Sequence, residues 1–213
     1  MLISYAHLFS LGNDSVYFIN AGLQAGISYR KIDFANLTFD NQFNGDIYTA
    51  SLPTGEQFDK VNYSYPEFNA GLEWMAIYEN TICTAGFSIQ HLNRPDQSFM
   101  NESVKLPMRS QFSASVWLRN NDMVSYIPSI IFLKQQSFSE LTGGLEIKID
   151  MKKDAARNYA FGAACHFRVK DAIIPGVSLY YNQWRLGLSY DVNTSGFKEV
   201  SNGRGGQIGR AHV

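Results

Sequence analysis

The segment that decides the fold is NQWRLGLSYDVN, residues 182–193, in which apolar and polar side chains alternate. One set of alternating positions is apolar: Trp184, Leu186, Leu188, Tyr190 and Val192. The other set is small or polar: Arg185, Gly187, Ser189 and Asp191. Because successive side chains of an extended chain point to opposite faces, the segment is predicted to be a two-faced β-strand. Its polar face could be the wetted side of a soluble sheet or the interior of a barrel whose outside meets lipid.

The same alternation recurs along the chain and predicts an all-β antiparallel fold. It is found in residues 16–31, 69–76, 85–90, 112–119, 145–150, 159–168 and 177–179. We expect roughly ten strands of about 9–13 residues, long enough to cross a bilayer at a tilt. The segment MVSYIPSIIFL, residues 123–133, is apolar on both faces, and its Pro128 predicts a bulge or local break. Residues 151–158 are expected to form at most one turn of helix.

The composition excludes several classes of protein. Charged residues make up 17% of the 213 residues, whereas soluble proteins contain roughly 25%. A net charge of −1 provides no basic surface for nucleic acid. No apolar run approaches the ~18 residues of a membrane-spanning helix, but a transmembrane barrel needs only alternate residues to be apolar.

The connections between the predicted strands favour a membrane barrel over a soluble β-sandwich. Two long links, residues 35–66 and 93–107, are interleaved with short ones, as in outer-membrane barrels. The strands are also longer than the ~5–6 residues usual in sandwiches, and their polar faces are rich in Gly and Ser. Aromatic residues near the strand ends could form interfacial girdles: Tyr29, Phe34, Tyr159, Tyr180, Tyr181 and Trp184. We therefore predict an antiparallel transmembrane β-barrel, of which about ten strands are visible here as part of a larger barrel.

Charged residues on the polar faces are the first set of candidate functional residues. In GLEIKID, Glu146, Lys148 and Asp150 share one face and could form an acid–base site, but a ladder of charges inside a barrel is the favoured interpretation. His166 and Arg168 share a face in the same way, and a metal or phosphate site would need a third convergent group. The side chains expected to face the barrel lumen are Arg30, Glu73, Glu146, Lys148, His166, Arg168, Arg185 and Asp191.

The links carry a second set of candidates, because exposed loop residues often serve recognition. The motifs SLPTGEQFD (residues 51–59) and HLNRPDQSF (residues 91–99) stand out, although their Pro, Gly and Asp residues also have an ordinary role in turns. The predicted partner-contact residues are Pro53, Glu56, His91, Arg94 and Asp96. Neither the scattered His and Cys residues nor any nucleophile motif predicts a catalytic, cofactor or metal site, and we expect a protein that is not an enzyme.

Both ends of the sequence have unusual features. The start lacks the basic region and unbroken apolar run of a signal peptide. The last seven residues, QIGRAHV, are those that the nucleotide string CAGATCGGAAGAGCACACGTC would encode, and this string contains the start of a common sequencing adapter. We therefore predict that residues 1–206 are a fragment of an outer-membrane β-barrel and that residues 207–213 are a non-native tail translated from adapter.

A series of motifs, in order, resembles the PorP/SprF family of outer-membrane proteins of the type IX secretion system in Bacteroidetes. The motifs are LTFDNQF (37–43), SLPTGEQFD (51–59), FNAGLEWM (68–75), GFSIQHLNRPDQSF (86–99), YIPSIIFLKQQ (126–136) and LGLSYDVNTSGF (186–197). The resemblance implies a non-enzymatic role in exporting or anchoring large cell-surface adhesins, some used in gliding motility. It also implies outer-membrane lipid, secretion-machinery proteins or adhesin C-terminal domains as partners, with no cofactor and no nucleic acid.

Two other functions remain open from the sequence. The first is an outer-membrane transporter or porin for small solutes, with six of the charged residues above lining a pore: Arg30, Glu73, Glu146, Lys148, Arg168 and Arg185. The second is a soluble β-sandwich that acts as a binding module.

Overall fold

The structure is a computed structural model that describes residues 1–12, 16–33, 37–43, 45, 47–55, 62–98, 103–154, 157–196 and 207–212. Within these ranges the regular structure is almost entirely β. The strands are β1 (Leu2–Leu11), β2 (Tyr17–Lys31), β3 (Asn62–Ile77), β4 (Thr81–Gln90), β5 (Arg109–Arg119), β6 (Val124–Gln135), β7 (Phe138–Asp154), β8 (Arg157–Arg168), β9 (Ala172–Tyr181), β10 (Trp184–Tyr190), β11 (Val192–Asn193) and β12 (Gln207–His212). A single turn of 3₁₀ helix, Asp40–Gln42, lies in the link between β2 and β3. No helix in the described ranges is long and apolar enough to span a membrane.

All of these strands belong to one antiparallel sheet. Each strand from β1 to β9 pairs with the next in the chain, β12 pairs with the far side of β10, and β11 extends the pairing along β9. The sheet does not close within the described residues, since β1 and β12 are its two edges. The predicted all-β antiparallel fold is confirmed, in the form of a partial barrel.

The strand register separates apolar from polar side chains over most of the sheet. The exception is β6, which is apolar on both faces and places Ile127, Ile131 and Leu133 on the same side as Glu146 and Glu140. Leu72 on β3 pairs with Ala21 on β2 and Phe87 on β4, and these three side chains share one face. The neighbouring residue Glu73 lies on the opposite face, where it pairs with Asn20. We call these the apolar face and the polar face of the sheet. At the alternating strands a slip of one residue would exchange the two sets, so the alternation in the sequence fixes their register.

No described element covers the apolar face. Leu23, Leu72 and Leu186 remain 66%, 59% and 50% exposed. The buried apolar side chains among the described residues are few and scattered: Tyr65, Ala76, Leu133, Ala160 and Ala172. A β-sandwich buries two inner faces against each other. The described strands form a single sheet without such a core, which argues against the soluble sandwich.

Two local predictions have clear outcomes. For residues 151–158 at most one turn of helix is expected, and the described part of this segment is strand: β7 continues to Asp154 and, after a register shift, pairs with β8, which begins at Arg157. The expected irregularity at Pro128 is confirmed. β5 pairs with β6 at Ser115–Ser129 and again at Leu118–Tyr126, but not at the Pro128 position between them. Proline has no backbone N–H to donate to β5, so the pairing is interrupted at Pro128 while β6 itself continues.

The segment predicted to be a non-native tail includes β12. Its backbone pairs antiparallel with β10, from Tyr190–Gln207 to Arg185–His212. Many sequences can form backbone pairs of this kind, so the pairing does not test whether residues 207–213 are a non-native tail. The adapter origin of this segment stays a prediction.

Candidate functional site on the polar face

Glu146 is the centre of a hydrogen-bonded cluster on the polar face of β7–β10. Its side chain is only 8% exposed. The hydroxyls of Ser178 and Tyr180 on β9 donate to Oε1 at 3.0 Å and 2.7 Å. Arg185 on β10 donates from Nη2 to Oε2 at 2.6 Å. The carboxylate thus has two neutral donors and one cation, the arrangement that makes a buried charge tolerable.

Gly162 on β8 makes this cluster possible. Glu146 lies on β7, whereas its partners lie on β9 and β10, so its side chain must pass over β8. A Cβ at Gly162 would overlap Glu146 Oε1 and would lie 3.2 Å from the Cβ of Ser178. Glycine is required here for close approach of a neighbouring side chain to the strand.

Lys148 lies beside this cluster and joins distant strands. Its Nζ is 3.0 Å from Asp150 Oδ1. The same Nζ lies 4.9 Å from the ring centroid of Trp117 on β5 and 5.1 Å from that of Tyr180 on β9. In a flat sheet β5 and β9 would be about 19 Å apart, at ~4.8 Å for each pair of neighbours. Both rings reach one ammonium because the polar face is concave, as the inner face of a barrel must be.

Arg168 on β8 organises a second ion-pair cluster near the β8–β9 turn. Its Nη1 lies 3.0 Å from Asp171 Oδ2 and 2.9 Å from Asp191 Oδ2, and its Nε lies 3.3 Å from Glu140 Oε1. Asp191 is 9% exposed and directly follows β10. The cluster therefore joins β7, the β8–β9 turn and the end of β10.

His166 lies in the same row of the polar face as Gly144. Its Nε2 is 3.3 Å from the hydroxyl of Ser129 on β6, so the imidazole reaches across β7. A Cβ at Gly144 would overlap the carbonyl oxygen of Cys165 and lie 2.5 Å from His166 Cδ2. Within the described ranges, no three His, Cys, Asp or Glu side chains converge in a way that could hold a metal ion.

The two remaining predicted lumen residues lie apart from these clusters. Arg30 is near the end of β2, with its guanidinium 6.0 Å from the ring centroid of Tyr65. Glu73 faces a groove on β2–β5 that is also lined by Asn20 and Ser113. The structure thus places all eight predicted lumen residues on the polar side of the sheet or at its ends, but brings only some of them together.

The predicted partner-contact residues divide into those with contacts inside the chain and those that are exposed. His91 Nδ1 lies 3.2 Å from Glu67 Oε1. Asp96 Oδ1 accepts the backbone N–H groups of Ser98 and Val104, at 3.0 Å and 3.1 Å, and so shapes the β4–β5 link.

The other three predicted partner-contact residues are Pro53, Arg94 and Glu56. Pro53 and Arg94 are exposed, and Arg94 adopts a positive φ of 45°. Glu56 lies outside the described residues. Partner contact stays a prediction for all five link residues, with Arg94 and Pro53 the more accessible of those described.

Sequence reasoning missed the uncharged members of the clusters. The sequence predicts Tyr180 in an interfacial girdle, but this residue lies on the polar face, where its hydroxyl donates to Glu146. The neighbouring Tyr181 lies on the apolar face. Phe34 of the same expected girdle lies outside the described residues. A second missed feature is an amide chain between the first three strands. Asn69 donates to Gln24 at 2.7 Å, and Gln24 donates to Ser4 at 2.8 Å.

These contacts define what the polar face can do chemically. Glu146, Lys148, Arg168 and Arg185 all have partners of opposite charge. Such an arrangement stabilises strand positions and fills the concave side of β7–β10 with side chains, as expected for a charge ladder.

The comparisons with known proteins agree with the resemblance seen in the motifs. A family model described as type IX secretion system membrane protein PorP/SprF matches residues 1–205. No curated protein and no solved structure matches the chain. The predicted family is therefore confirmed by a match that covers nearly the whole sequence.

Proposed function

Because the chain belongs to the PorP/SprF family of type IX secretion system membrane proteins, we propose that it forms a non-enzymatic β-barrel in the outer membrane of a Gram-negative, Bacteroidetes-type bacterium. In this role it assists export or surface anchoring of large adhesins, and it supports gliding motility where such adhesins drive movement. Its partners are secretion-machinery proteins or the C-terminal domains of exported adhesins, together with outer-membrane lipid.

The exposed apolar face is the observation that carries the membrane part of this proposal. Soluble monomers rarely expose contiguous apolar patches of more than a few hundred Å². Here leucine, phenylalanine and isoleucine side chains are exposed on one face of every strand from β2 to β7. Hydrocarbon is a medium in which such a face is stable, provided that the backbone groups are paired within the sheet.

The polar face supports a non-enzymatic role. A catalytic acid or base needs a side chain that can reach a substrate. The carboxylate of Glu146 already accepts three hydrogen bonds, and Lys148 is held between two rings and Asp150. These groups are placed to hold strands together.

Affinity purification of the full-length protein from its own outer membrane tests the secretion role. We expect a tagged copy to recover secretion-machinery proteins or an adhesin C-terminal domain, and an unrelated tagged porin to recover neither. Deleting the protein should also abolish display of the adhesin on the cell surface. Recovery of lipids and porins alone, with normal display in the deletion strain, would contradict the proposal.

The alternative is an outer-membrane transporter or porin for small solutes. The groove beside Glu73 is the observation that favours it, because it leaves open space on the polar face. Conductance across planar bilayers separates the two roles. A porin should conduct, and Lys148→Glu should change its ion selectivity, whereas we expect the full-length protein to conduct no small ions.

A further inference from the structure

The polar face of β2–β5 contains a shallow groove, here named the Glu73 groove, that differs from the filled face of β7–β10. Its volume is about 250 Å³. Glu73 is the one charged residue of its lining, and Leu72 and Phe87 are the two large apolar ones. The other lining residues are small or carry a side-chain amide: Asn20, Gly22, Gly71, Gly86, Ser88, Gln111 and Ser113. The two halves of the sheet therefore present different surfaces on the same side.

Glu73 is exceptional among the carboxylates of the polar face. Glu67 lies near His91 and accepts a hydrogen bond from Ser28. The others each lie within 3.3 Å of a lysine or arginine nitrogen: Glu140, Glu146, Asp150 and Asp191. For Glu73, by contrast, no ion pair or hydrogen bond joins its carboxylate to another described side chain. It is half-buried at the groove, so it presents an uncompensated negative charge in a recess.

The floor of the groove lies at the level of the backbone. Gly22 pairs with Gly71, and Gly86 pairs with both Glu73 and Ser113. Because glycine carries no side chain, a second backbone can approach the sheet closely here. The floor is also tightly built, since a Cβ at Gly86 would lie 3.0 Å from Ser113 Oγ.

We propose that the Glu73 groove binds an extended peptide segment of a partner protein, with a lysine or arginine of that segment placed against Glu73. This inference rests on the proposed secretion role in one respect, namely that the partner is a protein. The cation supplies the charge that the chain itself does not provide. The side-chain amides of Asn20 and Gln111 can both donate to and accept from a peptide backbone.

The size of the groove fits a peptide better than a small molecule. Pockets for small molecules usually have volumes of about 300–1,000 Å³ and enclose most of the ligand. The Glu73 groove is smaller than that, and its glycine floor runs across neighbouring strands. It therefore accommodates one side chain and the backbone around it, while the rest of the segment continues along the concave face.

Equilibrium binding of a labelled peptide to the full-length protein in detergent tests the proposal. The probe is an extended Gly/Ser peptide with one central lysine, and its matched control carries norleucine in place of the lysine. We expect the lysine probe to bind at least about tenfold more tightly than the norleucine probe, as one charge-assisted contact allows. Glu73→Gln should abolish this difference.

Two further variants separate the groove from general effects on the protein. Glu79→Gln removes an exposed carboxylate in the turn between β3 and β4 and should leave binding unchanged. Gly22→Leu keeps Glu73 but places a side chain on the floor, where a Cβ meets no atom closer than 3.7 Å. It should fold normally, as judged by heat-modifiable migration on gels, and should weaken binding of the lysine probe.

Each other outcome would overturn the inference. These outcomes are equal binding of both probes, unchanged discrimination in Glu73→Gln, or a site that takes methylammonium but no peptide. The adhesin display assay keeps the two proposals distinct. If Glu73→Gln cells display the adhesin normally and the variant binds the lysine probe as the wild type does, the groove proposal fails while the secretion role, tested by deletion, stands.

Discussion

Glu146 on β7 and Arg185 on β10 form an ion pair across two intervening strands, with 2.6 Å between Oε2 and Nη2. The contact holds four consecutive strands in one curved arrangement. It also shows that Glu146 of GLEIKID and Arg185 of NQWRLGLSYDVN lie on the same face.

Replacing Glu146 should destabilise the barrel. Glu146→Gln removes the charge that Arg185 faces and weakens the acceptor for Tyr180, so we expect a loss of about 1–3 kcal/mol in the free energy of unfolding. Urea unfolding of the full-length protein from liposomes measures it. Glu79→Gln, at the exposed β3–β4 turn, is the control and should change stability by less than about 0.5 kcal/mol. Equal stability of the two variants would show that the Glu146 cluster contributes nothing to stability.

Two glycines on the polar face should respond differently to the same substitution. Gly162→Ala places a methyl group against Glu146 Oε1, whereas Gly187→Ala meets no atom closer than 3.9 Å. We expect Gly162→Ala to destabilise the protein and Gly187→Ala to have little effect. The effect of Gly162→Ala should largely disappear in a Glu146→Ala background, because the displaced carboxylate is then absent. A double-mutant cycle measures this coupling, and additive effects would argue that Gly162 acts through the backbone alone.

Lys148, which lies between two aromatic rings, should contribute to stability through its charge. Lys148→Met removes the cation that faces Trp117 and Tyr180 and leaves Asp150 without its partner. We expect a loss of about 1–2 kcal/mol, whereas Lys148→Arg keeps the charge and should retain most of the stability. The same unfolding assay compares the two variants. If methionine is tolerated as well as arginine, packing and not charge holds this position.

A charge on the apolar face should be costly if that face meets lipid. Leu72 is 59% exposed on β3, and in a soluble protein a lysine there would be harmless. In a membrane, Leu72→Lys should cost up to ~2–4 kcal/mol, less if the residue lies close to the interface. Leu72→Met, which stays apolar, is the control. Folding yield into liposomes measures both, and equal yields would place this face in water.

The fold could be predicted from the sequence because period-two alternation sets both the strand type and the face of each residue. Leu186 and Arg185 are assigned to opposite faces by this rule, and the register agrees. The partners of each charge could not be predicted, because they depend on curvature and on which strands are neighbours. Lys148 contacts Trp117 of β5 because the sheet is concave. The spacing of residues along one strand does not reveal the curvature of the sheet.

The continuation of β7 to Asp154 and the role of Tyr180 could not be predicted from the sequence, for related reasons. Lysine and alanine favour helix over strand, but pairing of β7 with β8 overrides that preference up to Asp154. Tyr180 and Tyr181 are adjacent aromatic residues, and only the strand register decides which one takes the polar face.

The central claim is that alternate residues of each strand meet lipid and an enclosed aqueous space. Spin labels at consecutive positions of β10 in proteoliposomes test it most directly, by relaxation with oxygen, which concentrates in lipid, and with a water-soluble nickel complex. Labels at Leu186 and Leu188 should be relaxed mainly by oxygen, and labels at Gly187 and Ser189 mainly by the nickel complex. Equal access of the nickel complex to all four positions would contradict a membrane-spanning sheet.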